Sequence, residues 1–161
     1  MADIDGAIVA RLAMSLTNMQ RDNHPNRQSD FRAGTTAVAI GIGCKKGCSA
    51  KSITTLVARA MASASCAGAS ACLFTHEAKK CEAGLADAAK ALGLPLVFLE
   101  PEIMRQASLR AITCSPKVMA LFGLPSIAET AALAGAGPSS VLLLTRMSDG
   151  GASCAIAGKR A

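Results

Sequence analysis

Short apolar runs alternate with amphipathic stretches along the chain from Thr35 onwards. The runs TAVAIGI, ACLFT and PLVFLE have the length and the β-branched or aromatic content of buried strands. Residues 49–64 and 79–93 repeat apolar positions at helical spacing, and Ser49 is placed as an N-cap. The apolar stripe of the first helix consists of Ile53, Leu56, Val57 and Ala60. This alternation predicts an α/β domain built around a largely parallel sheet.

The second half of the pattern adds three helices and a hairpin. Residues 101–107 and 115–123 each carry proline at or near the first helical position, and residues 126–137 form a third helical stretch. Two apolar runs, SVLLLTRM and ASCAIAG, are joined by SDGG, which is a turn signal. The complete pattern predicts a single three-layer α/β/α domain, with a mostly parallel sheet of about five strands and a C-terminal hairpin.

The first part of the chain has a different character. Residues 4–16 are amphipathic, and the polar, proline-containing stretch that follows resembles a linker. We therefore expect residues 1–33 to be a helical or disordered extension and residues 34–161 to form the domain.

Composition narrows the classes of ligand. The net charge is +6, yet the only aromatic residues are four phenylalanines, which disfavours nucleic acid because its binding usually uses stacking aromatics. A modest positive charge suits a small anionic ligand. No apolar run is long enough to cross a bilayer. Seven cysteines, an odd number, include several within apolar runs, which predicts reduced thiols and a cytoplasmic protein.

The loop between the first strand and the first helix has the most distinctive chemistry. It reads GCKKGCS, so glycines and two lysines precede a helix N-terminus, where backbone N–H groups and the helix dipole attract anions. In open α/β sheets, ligands collect at the carboxyl ends of strands. We therefore predict that this loop binds carboxylates or phosphates. The candidate ligand-binding residues are Gly43, Cys44, Lys45, Lys46, Gly47 and Ser49.

Other interpretations of this loop stay open. A Walker P-loop needs lysine directly after its last glycine, where Cys48 stands here, and the glycine spacing of a dinucleotide site is one residue too long. Cys44 and Cys48 are spaced to clamp a metal, but a closed zinc site needs two more ligands. The lysines and the helix N-terminus are expected to lower the pKa of Cys44, although no base stands beside it. The simplest alternative is a solvated lysine pair on a tight turn. We expect no metal and no cofactor.

Four segments resemble the CobE/CbiG C-terminal family of cobalamin biosynthesis. GIGCKKGCSAKSI is similar to the G-I-G-C-R-R-G-T-S segment of that family, with lysines for arginines and Cys48 for threonine. The segments THEAKKCEAGLADAAKALGLPLVFL, GLPSIAETAAL and LLLTRMSDGGASCAIA follow in the family order. The last carries Arg146 where lysine is usual and Ser153 where threonine is usual. The resemblance covers roughly residues 36–158.

The resemblance implies a role in corrin-ring assembly. Corrin precursors are macrocycles with apolar faces and a fringe of carboxylates, which matches the predicted anion site. The implied function is binding of a precorrin-type corrinoid through these carboxylates, as a carrier or accessory protein, with other cobalamin-biosynthesis enzymes as further partners. The alternative is a hydrolase that opens the δ-lactone of a precorrin-5A-type intermediate, as in CbiG. The additional domains of full-length CbiG are not found in this sequence, which favours the carrier. Whether the protein forms a homodimer stays open.

The family motifs also supply candidate site residues. Thr75, Ser126 and Arg146 are candidates for ligand binding. If there is catalysis, Glu82 or Glu129 would activate water and Lys79 would stabilise an oxyanion. Both carboxylates have structural alternatives, because Glu82 falls in the first turns of a predicted helix, and Glu129 forms a Ser-x-x-Glu capping box with Ser126. The two histidines, His24 and His76, do not assemble a Ser–His–Asp triad.

Overall fold

The computed structural model of the chain describes residues 37–160. The predicted extension of residues 1–33 lies outside this range. The strands are β1 (Ala37–Cys44), β2 (Ser70–His76), β3 (Leu96–Leu99), β4 (Val141–Asp149) and β5 (Ala152–Gly158). The helices are α1 (Ala50–Ser63), α2 (Ala83–Leu92), α3 (Pro101–Ser108), α4 (Pro116–Phe122) and α5 (Ile127–Ala136), with a 3₁₀ turn at Glu77–Lys79. The predicted α/β class is confirmed.

The strands form one open mixed sheet with the order β3-β2-β1-β5-β4. β1 pairs with β2, and β2 with β3, in parallel, whereas β5 is antiparallel to both β1 and β4. Cys44 and Asp149 both pair with Ala152, so the turn between β4 and β5 lies beside the end of β1. The carboxyl ends of β1, β2 and β3 and the β4–β5 turn therefore share one side of the sheet, which we call the carboxyl edge.

Helices cover both faces of the sheet, and the side chains of β1 point alternately to the two faces. Ile40 and Ile42 point into a core shared with α1 and α2, and Ala39 points into a second core shared with α3 and α5. The stripe of α1 predicted from the sequence is buried in the first core. The domain therefore has three layers, and its core consists mostly of aliphatic side chains.

Glycines allow α5 to lie directly on β1. A side chain at Gly41 would collide with the backbone oxygen of Ala128. A Cβ at Gly43 would lie 3.5 Å from the Cβ of Ile127, the first residue of α5. The N-terminus of α5 is therefore at the carboxyl edge, on the face of the sheet opposite α1.

Helix ends follow the signals in the sequence, with one exception. Pro101 and Pro116 begin α3 and α4, and Gly93, with φ of 66°, ends α2. The predicted second helix is shorter than expected, because Lys79 ends the 3₁₀ turn and Glu82 is the N-cap of α2. Both residues therefore lie in the connection at the carboxyl edge and not within the helix.

The predicted turn between the last two strands is also present. Gly150 and Gly151 both have positive φ, 59° and 82°, as a type I′ hairpin turn requires. Among residues 37–160, no single helix is long and apolar enough to cross a membrane. Within that range, α4 and α5 reach this length and apolarity only when taken together, across a bend of 66°.

Candidate functional site

The loop after β1, residues 45–48, lies at the carboxyl edge and is the centre of the candidate site. Lys45, Lys46 and Gly47 are exposed, and Cys48 is buried. Gly47 has φ of 75° and open space around its Cα, so the turn needs the conformational freedom of glycine. We call residues 45–48 the cationic loop.

The β4–β5 turn fastens one side of the cationic loop. The Lys45 N–H donates to the Gly151 oxygen at 2.9 Å, and the Cys48 thiol lies 3.6 Å from the Gly150 oxygen. The aliphatic stem of Lys45 packs over Gly151, where a side chain would collide with it. Gly150 and Gly151 therefore form the turn and also contact the cationic loop.

The N-terminus of α2 fastens the other side. The Gly47 N–H donates to Glu82 Oε2 at 2.9 Å, across 35 residues of sequence. The backbone of α2 approaches the loop so closely that a side chain at Gly84 would collide with the Cys48 oxygen. Glu82 thus positions the cationic loop. Within the part of the chain that the structure describes, the Lys46 N–H is left without a protein acceptor.

Helix α1 begins directly after the loop. Ser49 is its N-cap, as predicted, and its hydroxyl oxygen accepts from the Ser52 N–H at 3.2 Å. The same hydroxyl donates to Ser52 Oγ at 2.9 Å. The positive end of the α1 dipole therefore adds to the charges of Lys45 and Lys46.

Lys79 joins this cluster from the connection after β2. Its Nζ lies 5.6 Å from the centre of the Phe122 ring, which is a cation–π distance. Its charge also acts on the Cys44 thiol, which places it near the end of β1. Three lysines, two on the cationic loop and one after β2, therefore surround the carboxyl end of β1.

His76 fills the space between β2 and α4. Its ring lies 5.1 Å from the Phe122 ring, and its Nδ1 accepts from the Ala78 N–H at 3.0 Å. Burial lowers the pKa of His76, as does the charge of Lys79, against the opposite effect of Glu77. The imidazole is therefore neutral at pH 7, with its proton on Nε2.

Thr75 lies below the surface of the site. Its side chain is fully buried, and its hydroxyl donates to the Ile42 oxygen of β1 at 2.7 Å. This bond joins β1 and β2 where both strands approach the carboxyl edge. Its observed contact is therefore structural.

Glu129 is a buried anchor on the other face of the sheet. Its Oε2 accepts from the Ile112 and Thr113 N–H groups at 2.8 Å each, and its Oε1 accepts from the Thr113 hydroxyl at 2.6 Å and the Arg146 N–H at 2.9 Å. Burial alone would raise the pKa of this carboxyl, but these four donors outweigh it and hold the pKa below its ordinary value. A carboxylate so stabilised is a weak base.

Ser126 and Arg146 belong to the surroundings of this anchor. Ser126 Oγ accepts from the Glu129 N–H at 3.3 Å, which is half of the predicted capping box, and the other half is replaced by the bonds of the carboxylate to distant residues. Ser126 is 1% exposed, so its hydroxyl is sealed from solvent. Arg146 lies on the outer strand β4, at an irregular part of the pairing between β4 and β5.

The expectation that Cys44 has a lowered pKa is wrong. Burial raises the pKa of its thiol to about 11, and the opposing charge of Lys79 does not compensate. The thiol is therefore protonated at neutral pH. No three His, Cys, Asp or Glu side chains between residues 37 and 160 are grouped to hold a metal ion.

The structure thus divides the candidate residues into two groups. At the carboxyl edge, around the cationic loop, lie Gly43, Cys44, Lys45, Lys46, Gly47, Ser49, Lys79 and Glu82. Thr75, Ser126 and Glu129 are buried in structural contacts, and Arg146 is bound to Glu129 through its backbone. Sequence reasoning missed Phe122, the last residue of α4, because nothing local in the sequence places it beside Lys79.

Known proteins resemble this chain in sequence and in fold. Residues 38–157 match the family described as cobalamin synthesis G C-terminus. The chain is 30% identical over 128 residues to Protein CobE of Sinorhizobium sp., covering 79% of this chain and 82% of that protein. The crystal structure of CobE, a protein from the cobalamin biosynthetic pathway, superposes with a TM-score of 0.68 at 33% identity, covering 75% of this chain and 89% of CobE.

A second solved structure gives the same result. The cobalamin biosynthesis protein chiG from Agrobacterium tumefaciens superposes with a TM-score of 0.60 at 31% identity, over 77% of this chain and 99% of chiG. In sequence and in fold, the chain belongs to the CobE/CbiG C-terminal family of cobalamin biosynthesis proteins.

Proposed function

We propose that this protein binds a corrin-ring precursor by its carboxylate side chains and acts as a carrier or accessory protein in cobalamin biosynthesis. The observation that carries the proposal is the cationic loop, which is exposed and held on both sides. Gly151 fixes its first residue, and Glu82 fixes Gly47. A loop held in this way loses little conformational entropy when a ligand binds.

Charge supports the same ligand class. Lys45 and Lys46 stand in front of the positive end of α1, and Lys79 lies nearby. Charge-assisted hydrogen bonds contribute about 1.5–3 kcal/mol each where water is excluded, and less at an exposed surface. Several weak contacts to one polyanion add up, so a ligand fringed by carboxylates gains more here than a monoanion.

The carrier is favoured over a lactone hydrolase because both candidate bases form structural hydrogen bonds, Glu129 through both oxygens and Glu82 through one. Glu82 accepts the Gly47 N–H, and Glu129 is buried among four donors with a lowered pKa. Opening a lactone with water requires a group that takes a proton from that water. Glu129 is not placed to do this, so a hydrolase would depend on Glu82, whose Oε1 is free within the described residues while its Oε2 holds Gly47.

The test mixes the purified protein with a lactone-bearing corrinoid and, separately, with a late metal-free corrinoid. We expect pigment to co-elute with the protein in size-exclusion chromatography, with no chemical change in the recovered pigment. Release of acetaldehyde from the lactone-bearing compound would instead establish the hydrolase. Failure of both pigments to co-elute, with no release of acetaldehyde, would remove both functions.

A charge variant locates the binding site. The double substitution Lys45→Ala and Lys46→Ala should weaken corrinoid binding about tenfold and make it less sensitive to salt. Lys90→Ala is the matched control, because Lys90 is exposed in the last turn of α2, away from the carboxyl edge. Equal binding by the double variant and the control would exclude the cationic loop from the site.

A further inference from the structure

Lys79 is a half-buried lysine whose charge has no acidic partner among the described residues. The ion pairs between residues 37 and 160 lie elsewhere on the surface, and none includes Lys79. The carboxylate of Glu82, three residues further along the chain, is bound to the Gly47 N–H. The ammonium group of Lys79 instead lies over the face of the Phe122 ring, with Nζ 5.6 Å from the ring centre. Its position is therefore defined while its charge is left able to bind an anion.

His76 holds both partners of this cation–π contact. Its Nδ1 accepts from the Ala78 N–H at 3.0 Å and so caps the 3₁₀ turn that ends at Lys79. Its ring lies 5.1 Å from the Phe122 ring, with an angle of 57° between the two planes. Because His76 is itself buried, it fixes the turn and the aromatic ring relative to each other.

Lys79 lies over the ends of the strands, between the two helical layers. Its charge acts on the Cys44 thiol, which belongs to the core shared with α1 and α2. Phe122 packs against the other core, which is shared with α3 and α5. A cation that is near both cores is at the carboxyl edge, where ligands of open α/β sheets bind. Cys44 directly precedes the cationic loop, so Lys79 and the loop can reach the same ligand.

We propose that Lys79 binds a carboxylate of the corrinoid together with the cationic loop, and that Phe122 is the residue that positions Lys79 for this contact. The inference rests on the proposed function and adds a positioning residue to the same site. The ring face attracts one side of the ammonium group, which leaves N–H donors of that group for a carboxylate. A lysine held in this way loses less conformational freedom when the ligand binds.

The test is a double-mutant cycle on Phe122 and Lys79, measured as affinity for a late metal-free corrinoid. Phe122→Leu removes the aromatic ring but keeps an apolar side chain, and we expect affinity to fall about threefold. Lys79→Met removes the charge and should lower affinity about tenfold. In a protein that already carries Lys79→Met, Phe122→Leu should change affinity by less than about 1.5-fold, because the ring acts through the lysine.

Lys80 provides the matched control. Lys80→Met removes the same charge from the next residue, which is exposed. In that background, Phe122→Leu should still lower affinity about threefold, because the contact of the ring with Lys79 is intact. Phe122→Tyr keeps the ring face and should bind within about 1.5-fold of the wild type.

Proton NMR of the unliganded protein measures the contact itself. The ring current of Phe122 should shift the protons on Cε of Lys79 upfield in the wild type and in Phe122→Tyr. This shift should disappear in Phe122→Leu. Circular dichroism and a thermal melt verify that each variant is folded. If Phe122→Leu does not fold, the wild-type NMR shift and the comparison of Lys79→Met with Lys80→Met still decide the matter.

Three results would overturn the inference and leave the proposed function intact. The first is an equal loss of affinity from Phe122→Leu with and without Lys79, which would show that the ring acts independently of the lysine. The second is an ordinary chemical shift of the Lys79 Cε protons in the wild type. The third is an equal loss from Lys79→Met and Lys80→Met. If the wild type binds no corrinoid, the inference and the proposed function both fail.

Discussion

Two glutamates at helix N-termini, Glu82 and Glu129, look alike in the sequence and differ in the structure. Both accept backbone N–H groups from a distant loop. Glu82 is half-buried and accepts one N–H, from Gly47, whereas Glu129 is fully buried and its two oxygens accept three N–H groups and one hydroxyl. Depth therefore separates two roles, since Glu129 holds residues 112–113 and β4 to the core and Glu82 holds an exposed loop.

This comparison teaches that a carboxylate in a family motif need not be a reactive group. A buried carboxylate repays its desolvation only when nearly all its acceptor positions are used, and then it is a weak base. Glu129 meets this condition. Glu82 keeps a free oxygen at the carboxyl edge, but its bound oxygen is the one that orders Gly47.

The largest expected effect comes from Glu129→Gln. The amide keeps the shape of the side chain, but its NH₂ group must face either the Ile112 and Thr113 N–H groups or the Arg146 N–H group. We expect a loss of about 3 kcal/mol in the free energy of unfolding. Urea denaturation measures it, and a loss below 1 kcal/mol would contradict the anchoring role.

Acid titration tests the same anchor in the unmodified chain. Because the folded state lowers the pKa of Glu129, its contribution to stability is complete above the ordinary carboxyl value of 4.5 and is lost as the pH falls through the lower folded value. The difference in stability between wild type and Glu129→Gln should therefore shrink below pH 4.5. A difference that stays constant down to pH 2 would show that Glu129 keeps an ordinary pKa.

Gly84→Ala attacks the contact between α2 and the cationic loop. The added methyl group would collide with the Cys48 oxygen, and backbone on both sides must move. We expect about 2 kcal/mol of destabilisation together with weaker corrinoid binding. Gly93→Ala is a poor control, because Gly93 has positive φ and alanine would be strained there. The control is instead Ala83→Gly, at an exposed position of α2. It should lower stability by no more than about 1 kcal/mol and leave corrinoid affinity unchanged.

Thr130→Val tests the cost of a buried polar group that has no hydrogen bond. The Thr130 hydroxyl stands next to Glu129 on α5 and, as far as the structure describes the chain, is buried without a hydrogen-bond partner. Replacing it by a methyl group of the same shape removes an unpaired polar atom, so we expect a gain of about 1 kcal/mol. A thermal melt measures the change, and destabilisation would show that the hydroxyl is paired.

The smallest effect on stability is expected for Glu82→Ala. One half-buried hydrogen bond is lost, which costs about 0.5 kcal/mol. Corrinoid affinity should fall about threefold, because the cationic loop then orders only on binding. Glu82→Gln is the control, since its amide oxygen still accepts the Gly47 N–H. If both variants bind as the wild type does, the bond to Gly47 does not preorganise the site.

Local signals in the sequence predicted most of the secondary structure. Apolar runs gave the strands, Ser49 and Ser126 marked helix starts, and the two glycines after Asp149 gave the hairpin. The place of β5 between β1 and β4 was not predicted, because strand order depends on pairing between distant segments.

The candidate site was predicted where its chemistry is local. The lysines and Gly47 of the cationic loop are neighbours in sequence, whereas the bond from Gly47 to Glu82 and the contact of Lys79 with Phe122 join separate elements. The burial of Cys44 could have been predicted, because Ile40, Ile42 and Cys44 are every second residue of β1 and point into the same core. The neighbouring lysines instead led to the prediction that the pKa of Cys44 is lowered.

The position of β5 has a consequence for biosynthesis of the domain. β5 is flanked on both sides by strands that precede it in the chain, so residues 37–149 emerge from the ribosome with one interior strand of the sheet missing. Until residues 152–158 follow, β1 has one unpaired side, and its apolar surface is open to chaperones or to aggregation. The domain can therefore close only after residues 152–158 have left the ribosome.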